Sequence, residues 1–322
     1  PAPCQTPRGI TRRGLPVARF LVKRLGWMLL TIWVVYTVSF FLMRAVPGGP
    51  FSSEKKIPPA IKRNIEARYK MDRPIHEQYF SHLWSTICLD LGPSYKLEDY
   101  TVNEVIAQGF PVSASLGIFA MFFALTVGLT SGVISAVHRN SPYDLSFMLM
   151  ATIGIAVPNF VLASIAVVLF VFVWPIFPAA GWGQLSQIIL PAICLGAPFA
   201  GYIARLTRTG MLEVLGMDYI RTAYAKGLGT RQVVVRHALR GALLPVVSYL
   251  GPATAGILSG SLVLERIFAL PGMGSHFIEA ATQRDYTLAM GMVLIYTVLL
   301  FVMNTLVDLS YSIIDPRVEV EG

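Results

Sequence analysis

Charge is scarce in this sequence. Only 14% of the 322 residues are Asp, Glu, Lys or Arg, where a soluble domain carries about 25%. Beside an apolar content of 54%, that shortfall excludes an ordinary water-soluble globule. Cysteine is as sparse: Cys4, Cys88 and Cys194 lie far apart, their number is odd and no C-x-x-C occurs, which argues against both a disulfide framework and a zinc site. There is no Gly-x-x-x-x-Gly-Lys-Ser/Thr, and AKGLGTRQ has its glycines and lysine at the wrong spacing, so no phosphate-cradling loop is expected. The histidines (His76, His82, His138, His237, His276) are scattered and suggest no catalytic cluster. The serines of GILSGSLV lack a basic partner at similar depth, which leaves an intramembrane protease without its base.

Long apolar runs are what the chain has instead. Only helices and closed barrels satisfy their backbone groups in hydrocarbon, and barrel strands would be about 10 residues with strict alternation. The runs here are longer and apolar all round, so the expected class is an all-α polytopic membrane protein. A spanning helix needs about 20 apolar residues, and six candidates meet that: 25–46, 111–137, 145–174, 188–206, 243–264 and 288–314. The first exceeds a usual signal-peptide core and AVPGGP is a poor cleavage site, so it reads as a retained span.

Lysine and arginine set the orientation. There are six before residue 25, Arg139 alone in 138–144, seven in 205–241 and Arg317 in the tail; segment 175–187 has none and 265–287 has Arg266 and Arg284. The long segment 47–110 has eight, balanced by eight acids. The termini are therefore expected in the cytoplasm, and the net charge of +8 reads as positive-inside bias, without nucleic acid. The expected organisation is a basic cytoplasmic segment 1–24, a first span 25–46, an extracytoplasmic segment 47–110, a five-helix core 111–314 with a cytoplasmic loop 205–241, and a cytoplasmic tail 315–322.

Segment 47–110 fits two short amphipathic helices, one with Ile61, Ile65 and Arg68 on a side, the other with Tyr79, Leu83, Trp84 and Ile87. It reads either as a structured loop or as a docking or gating element. The other unusual stretch is DYIRTAYAKGLGTRQVVVRHALRGALLPVV at 218–247. Gly216 is expected to end the preceding helix in a left-handed turn, Asp218 to cap a two-turn helix, Gly227 and Gly229 to end it, and Thr230 to cap a helix running straight into the fifth span. A two-turn helix is not stable alone in water, so it needs a partner surface. Small residues at Ala223, Ala225 and Gly227 would let a partner come close, with Arg221 and Lys226 at the rim. A socket on another protein and a bed of anionic lipid both fit.

The residues around this insert, YIARLTRTGMLEVLGMDYIRTAYAKGLGTRQVVVRHALRGALLPVV, closely resemble the cytoplasmic loop of ABC importer permeases, most of all the dipeptide/oligopeptide/nickel branch. The Glu-Ala-Ala positions of that family's EAA motif become Arg221, Thr222 and Ala223, its glycine Gly227, and its later Ile-x-Leu-Pro positions His237, Ala238, Leu239 and Arg240. Ala223, Gly227 and Leu239 match the general motif; Arg221, His237 and Arg240 depart from it in the manner of the peptide branch. MDRPIHEQYFSHLWSTICLDLGPSY, GIAVPNFVLA, FPAAGW, SGSLVLERIFALPGMGSHFIEAATQRDY and LVDLSYSIIDPRV resemble that branch in the right order.

The resemblance implies a type I permease fold with a coupling helix and a second, related permease subunit. It also implies two ABC ATPases that bind the ATP and magnesium, and an extracytoplasmic substrate-binding protein. It places this chain in a bacterial inner membrane as a non-catalytic subunit with no cofactor of its own. The solute is a short peptide, with nickel, glutathione-like or heme-like cargo as the alternative; a stand-alone carrier or channel is the rival from another class. ATPase docking is expected at Asp218, Arg221, Thr222, Ala223, Lys226, Gly227 and Leu228. Pro158, Pro191, Pro198, Pro245 and Pro252 would kink spans, and gating is expected at Pro245, Gly251, Pro252, Gly256 and Gly260. Arg44 and Asp308 are near span ends, and no chain of buried acids is expected.

Overall fold

A computed structural model describes residues 15–46, 71–97 and 99–314. The helix expected around Ile61, Ile65 and Arg68, the first fourteen residues and the tail from 315 lie outside the described residues. The elements are α1 (Leu15–Ala45), α2 (Ile75–Ile87), α3 (Val102–Val137), α4 (Pro142–Ala156), α5 (Asn159–Val167, continued by a π-helical turn Val168–Val173), α6 (Leu185–Leu215), α7 (Asp218–Ala225), α8 (Thr230–Ala242), α9 (Leu244–Ile267), α10 (Met273–Gln283) and α11 (Tyr286–Ile314). Among the described residues there is no strand, only one isolated bridge between Pro93 and Thr101.

Among the described residues four helices are long and apolar enough to cross a membrane, and two bent pairs, each taken as one span, bring the number to six. The pairs correct two expectations. The third span is not one helix: α4 and α5 meet at 106°. Pro158 disfavours helical backbone in the residue before it, and Val157 is accordingly extended at φ −86°, ψ 124°. Nor does the helix after Thr230 run straight into the fifth span. It contains a π-helical stretch, Val233–Ala238, and bends by 55° into α9. Pro245 sits in the first turn of α9, where its missing N–H costs least.

The second span begins at Val102, nine residues before the expected start. Thr101 Oγ1 accepts from Glu104 N at 3.3 Å while Glu104 Oε2 accepts from Thr101 N at 2.8 Å. This capping box satisfies the first turn and lets the helix continue through Pro111.

The centre of the bundle is the α3–α6 pair. Leu116, Ala120, Ala124, Gly128, Gly132 and Ala136 on α3, and Ala192, Gly196, Ala200 and Ala204 on α6, recur every four residues and are buried. Small residues at this spacing let helix backbones touch. A methyl at Gly196 would lie 2.5 Å from Ala120 O, and one at Gly132 would lie 2.6 Å from Ala204 O. Peripheral α1 packs on α11 and α2. On α2 the expected single side is divided. Tyr79 and Leu83 pack toward Tyr36 and Phe40 of α1, whereas Trp84, 69% exposed, and Ile87 face outward.

A candidate coupling surface

The loop between α6 and α9 is built by its own chain. Gly216 is ordinary right-handed backbone at φ −80°, ψ −10°, not the expected left-handed stop. Met217 is the extended residue ahead of α7, and Asp218 makes no side-chain cap; it is the helix's first residue, where its charge suits the positive helix end. Likewise Gly229, not Thr230, precedes α8.

Of the eight residues of α7, Ile220 and Ala223 are buried, at 1% and 7% exposure. They join Met211 and Val214 of α6, Val233, Val234, Ala238 and Ala242 of α8, and Ala136 of α3. The expectation that Ala223 admits a foreign surface is corrected: it turns inward, and its small size serves the fit to its own chain. Leu228 is half-buried against the same cluster. The short helix thus has the support that nucleation alone denies it.

The opposite face is free of the cluster. Asp218, Tyr219, Arg221, Thr222, Tyr224, Ala225 and Lys226 are exposed. Arg221 Nη1 and Asp218 Oδ1 are 3.6 Å apart in open solvent, a contact of little energetic consequence. Gly227 ends α7 at φ +80°, and a methyl added to it would meet nothing within 4 Å. Backbone conformation, not space, requires glycine there. Its N–H donates to Tyr224 O at 2.9 Å, and Leu228 N–H to Ala223 O at 3.3 Å, closing the helix end.

The expected gating residues divide. Pro245 is exposed at the bend and Pro252 is exposed further along α9, while Gly251 is buried. Gly256 faces α6, where a methyl would lie 2.8 Å from Phe199 Cε1. Gly260 lies on α9 and Asp308 on α11, outside the residues whose surroundings are described.

Three polar nodes escaped the sequence reading. Asp144, at the start of α4, accepts Arg208 Nε at 2.7 Å and Nη2 at 2.8 Å, and also the Ser135 hydroxyl and Asn140 N–H. This joins α3, α4 and α6 at the end where the loop lies. At the other end of α9, Glu265 is fully buried. Its carboxyl accepts Ser113 Oγ at 2.7 Å, Gly274 N at 2.7 Å and Ser275 N at 3.3 Å, tying α9 to α3 and the start of α10. Asp285 accepts the Ser94 hydroxyl, the backbone N–H groups of Tyr95, Lys96 and Leu288, and Thr287 Oγ1. Buried acids are therefore present, as isolated staples. Arg44 does not simply reach for interfacial water. It is half-buried, donates to Gln78 Oε1 at 3.0 Å and lies 3.5 Å over the Phe40 ring.

A basic loop thus supports a short helix on one side and leaves its other side open, within a bundle of bent helices of membrane-spanning length. Residues 128–320 match the family of binding-protein-dependent transport system inner membrane components. The dipeptide transport system permease protein DppB of Bacillus subtilis (strain 168) is 45% identical over 94% of this chain and 98% of its own length. The oligopeptide transport system permease protein OppB of Escherichia coli (strain K12) is 43% identical over 93% of this chain and 99% of its own. The chain belongs to the binding-protein-dependent transport permease family. A chain of the MetNI methionine ABC transporter, in inward-facing conformations, shares the fold at TM-score 0.55 and 17% identity, over 66% of this chain and 96% of that one.

Proposed function

We propose that this chain is one of two permease subunits of an ATP-driven importer of short peptides, and that the exposed face of α7 is its handle. The observation that carries the reading is the two-sidedness of α7. Ile220 and Ala223 lock it to α6 and α8, while Tyr219, Arg221, Thr222, Tyr224 and Lys226 remain available to an ATPase subunit. The peptide cargo is supported by the relatives, which are named as dipeptide and oligopeptide permeases. ATP and magnesium belong to the ATPases, the solute is delivered by an extracytoplasmic binding protein, and the basic loop and both termini face the cytoplasm.

In this mechanism closure of two ATPases draws α7 inward. The shared hydrophobic cluster passes the motion to α8, and the bend at Leu243–Pro245 turns it into rotation of α9. Gly227, at φ +80°, makes the turn from α7 toward α8. The test is cysteine cross-linking from Thr222→Cys, in a variant lacking the natural cysteines, co-expressed with candidate ATPases and assayed for peptide uptake. Cross-links to an ATPase, and loss of uptake with ATPase binding weakened in Arg221→Glu/Lys226→Glu, are expected. Full uptake by that double variant, with no cross-link to any ATPase, would refute the handle.

A further inference from the structure

The basic residues of the loop 205–241 do not all belong to the handle. Arg208 is paired with Asp144, and Arg221 and Lys226 lie on α7. Arg231, Arg236 and Arg240 lie on α8, and all three are exposed. Among the described residues none of these three is paired with an acid. The acids of the loop are Glu213 and Asp218, and Asp218 faces Arg221.

The backbone gathers the three arginines on one side. In an α-helix of about 3.6 residues per turn, Arg231 and Arg236 would stand about 140° apart around the axis. The stretch Val233–Ala238 is π-helical, and its i→i+5 bonding brings residues five apart nearly above one another. Arg240 follows Arg236 by four, the spacing of a shared helix face. The opposite side of α8 is taken by Val233, Val234, Ala238 and Ala242, buried in the cluster shared with α6 and α7. Beside the arginines Val235 is 60% exposed, and its apolar surface gains by leaving water.

This ridge stands at the membrane boundary. α8 bends by 55° into α9, and the pair is apolar enough to count as one span. Take α9 along the bilayer normal, with Leu244 at the edge of the hydrocarbon. At about 1.5 Å of rise per residue, Arg240 then stands about 3 Å outside that edge and Arg231 about 11 Å. The polar layer on each side of a bilayer is about 5–7 Å deep, and the charge of anionic lipid reaches about a Debye length of 8 Å beyond it. All three guanidiniums fall within that reach.

We propose that the ridge is an anionic-phospholipid site, in which Arg231, Arg236 and Arg240 take headgroup phosphates and Val235 enters the acyl boundary. A guanidinium meets a phosphate with two parallel N–H donors. An exposed apolar residue among cations is the pattern of a helix lying in the headgroup layer. The occupant is lipid because α8 runs on into a span, which brings headgroups to Arg240 without a further chain. The loop thus serves two surfaces, protein on α7 and lipid on α8. The lipid site goes beyond the function proposed above and does not rest on it; it requires only that α9 spans the bilayer.

The test uses the full chain in phosphatidylcholine nanodiscs, without any ATPase. A bimane fluorophore is placed at Val235→Cys, in a variant whose natural cysteines are replaced by serine. A trace of lipid with a nitroxide near its headgroup is added, either as phosphatidylglycerol or as phosphatidylcholine. One arginine near an anionic surface is worth about fivefold, so phosphatidylglycerol should quench at least about fivefold more strongly than phosphatidylcholine. The preference should fall as added salt shortens the Debye length. It should vanish in Arg231→Gln/Arg236→Gln/Arg240→Gln and largely survive in Arg231→Lys/Arg236→Lys/Arg240→Lys. The same fluorophore at Thr222→Cys on α7 should show no preference. Equal quenching by the two lipids at Val235, or a preference that survives the glutamine variant, overturns the site. A fluorophore at Val235 that neither lipid quenches, and that is shielded from aqueous acrylamide only once a candidate ATPase is added, gives the ridge to that protein and overturns the site as well.

Discussion

Removing one partner of the Asp144–Arg208 pair should cost more than removing both would suggest. Asp144 is 5% exposed, and the Arg208 side chain is 26% exposed. Both hydrogen bonds between them are short, at 2.7 and 2.8 Å. Asp144→Ala leaves a part-buried guanidinium, the Ser135 hydroxyl and the Asn140 N–H without their acceptor. Breaking a buried pair in this way costs about 3–5 kcal/mol. Arg208→Ala leaves a carboxylate that still receives Ser135 and Asn140, so its cost should be about 2–3 kcal/mol. In the double variant no lone charge remains, and its cost should fall below the sum of the singles by about 2 kcal/mol. The assay is reversible unfolding of the full chain by sodium dodecyl sulfate in mixed micelles, read by tryptophan fluorescence for wild type, both singles and the double. A coupling energy under about 0.5 kcal/mol would mean that the two residues act independently, and the node would not tie α4 to α6.

Other outcomes follow from the same geometry. Gly227→Ala should loosen α7 by roughly 1–2 kcal/mol, because a β-carbon is disfavoured at positive φ, and faster amide exchange confined to 218–228 would report it. Gly196→Ala should be worse, because a methyl would lie 2.5 Å from Ala120 O; a thermal midpoint no lower than that of Gly227→Ala would contradict the packing. Glu265→Ala should strand the Ser113 hydroxyl and the N–H groups of Gly274 and Ser275, costing about 1–3 kcal/mol for each donor left unmet, with Glu265→Gln milder; equal midpoints for the two variants would count against the staple. Burial holds His82 near 4 while α2 is docked, against about 6.5 once it is released. Undocked α2 therefore binds the proton first. Docking should be complete above pH 6.5 and weaken as the pH falls toward 4, seen as rising exchange over 75–87 that His82→Phe abolishes.

The apolar runs announced the spans because hydrocarbon leaves a chain few options, and the sixth, at 286–314, lies within two residues of its expected start. The resemblance around 205–247 named the family that the relatives support. Bends were harder to see. Pro158 is visible in the sequence, but a proline announces a kink and not the 106° between α4 and α5. Thr101 and Glu104 are legible as a capping box, but Pro111 beside them looks like a helix start and masks it. Ala223 was misassigned because small size looks the same whether the close neighbour is another protein or α6 and α8. Glu265 was passed over since a single acid near a span end resembles an interfacial charge; only the fold brings Ser113, distant in sequence, within 2.7 Å. The four-residue rhythm of Ala and Gly in α3 and α6 is readable too, but the glycines of α9 carry a similar signal and compete with it.

That rhythm bears on how such a machine can work. Where main chain lies against main chain, a slip of even one position drives a side chain into a carbonyl, so α3 and α6 have no lubricated surface between them. They form a keel. Any cycle of opening and shutting has to be performed by what is hung upon it: the bent α4–α5 pair and the jointed α8–α9 arm. A cross-link that fixes α3 to α6 at their exposed edges should accordingly be harmless to transport, and one across the joint at Leu243 should stop it.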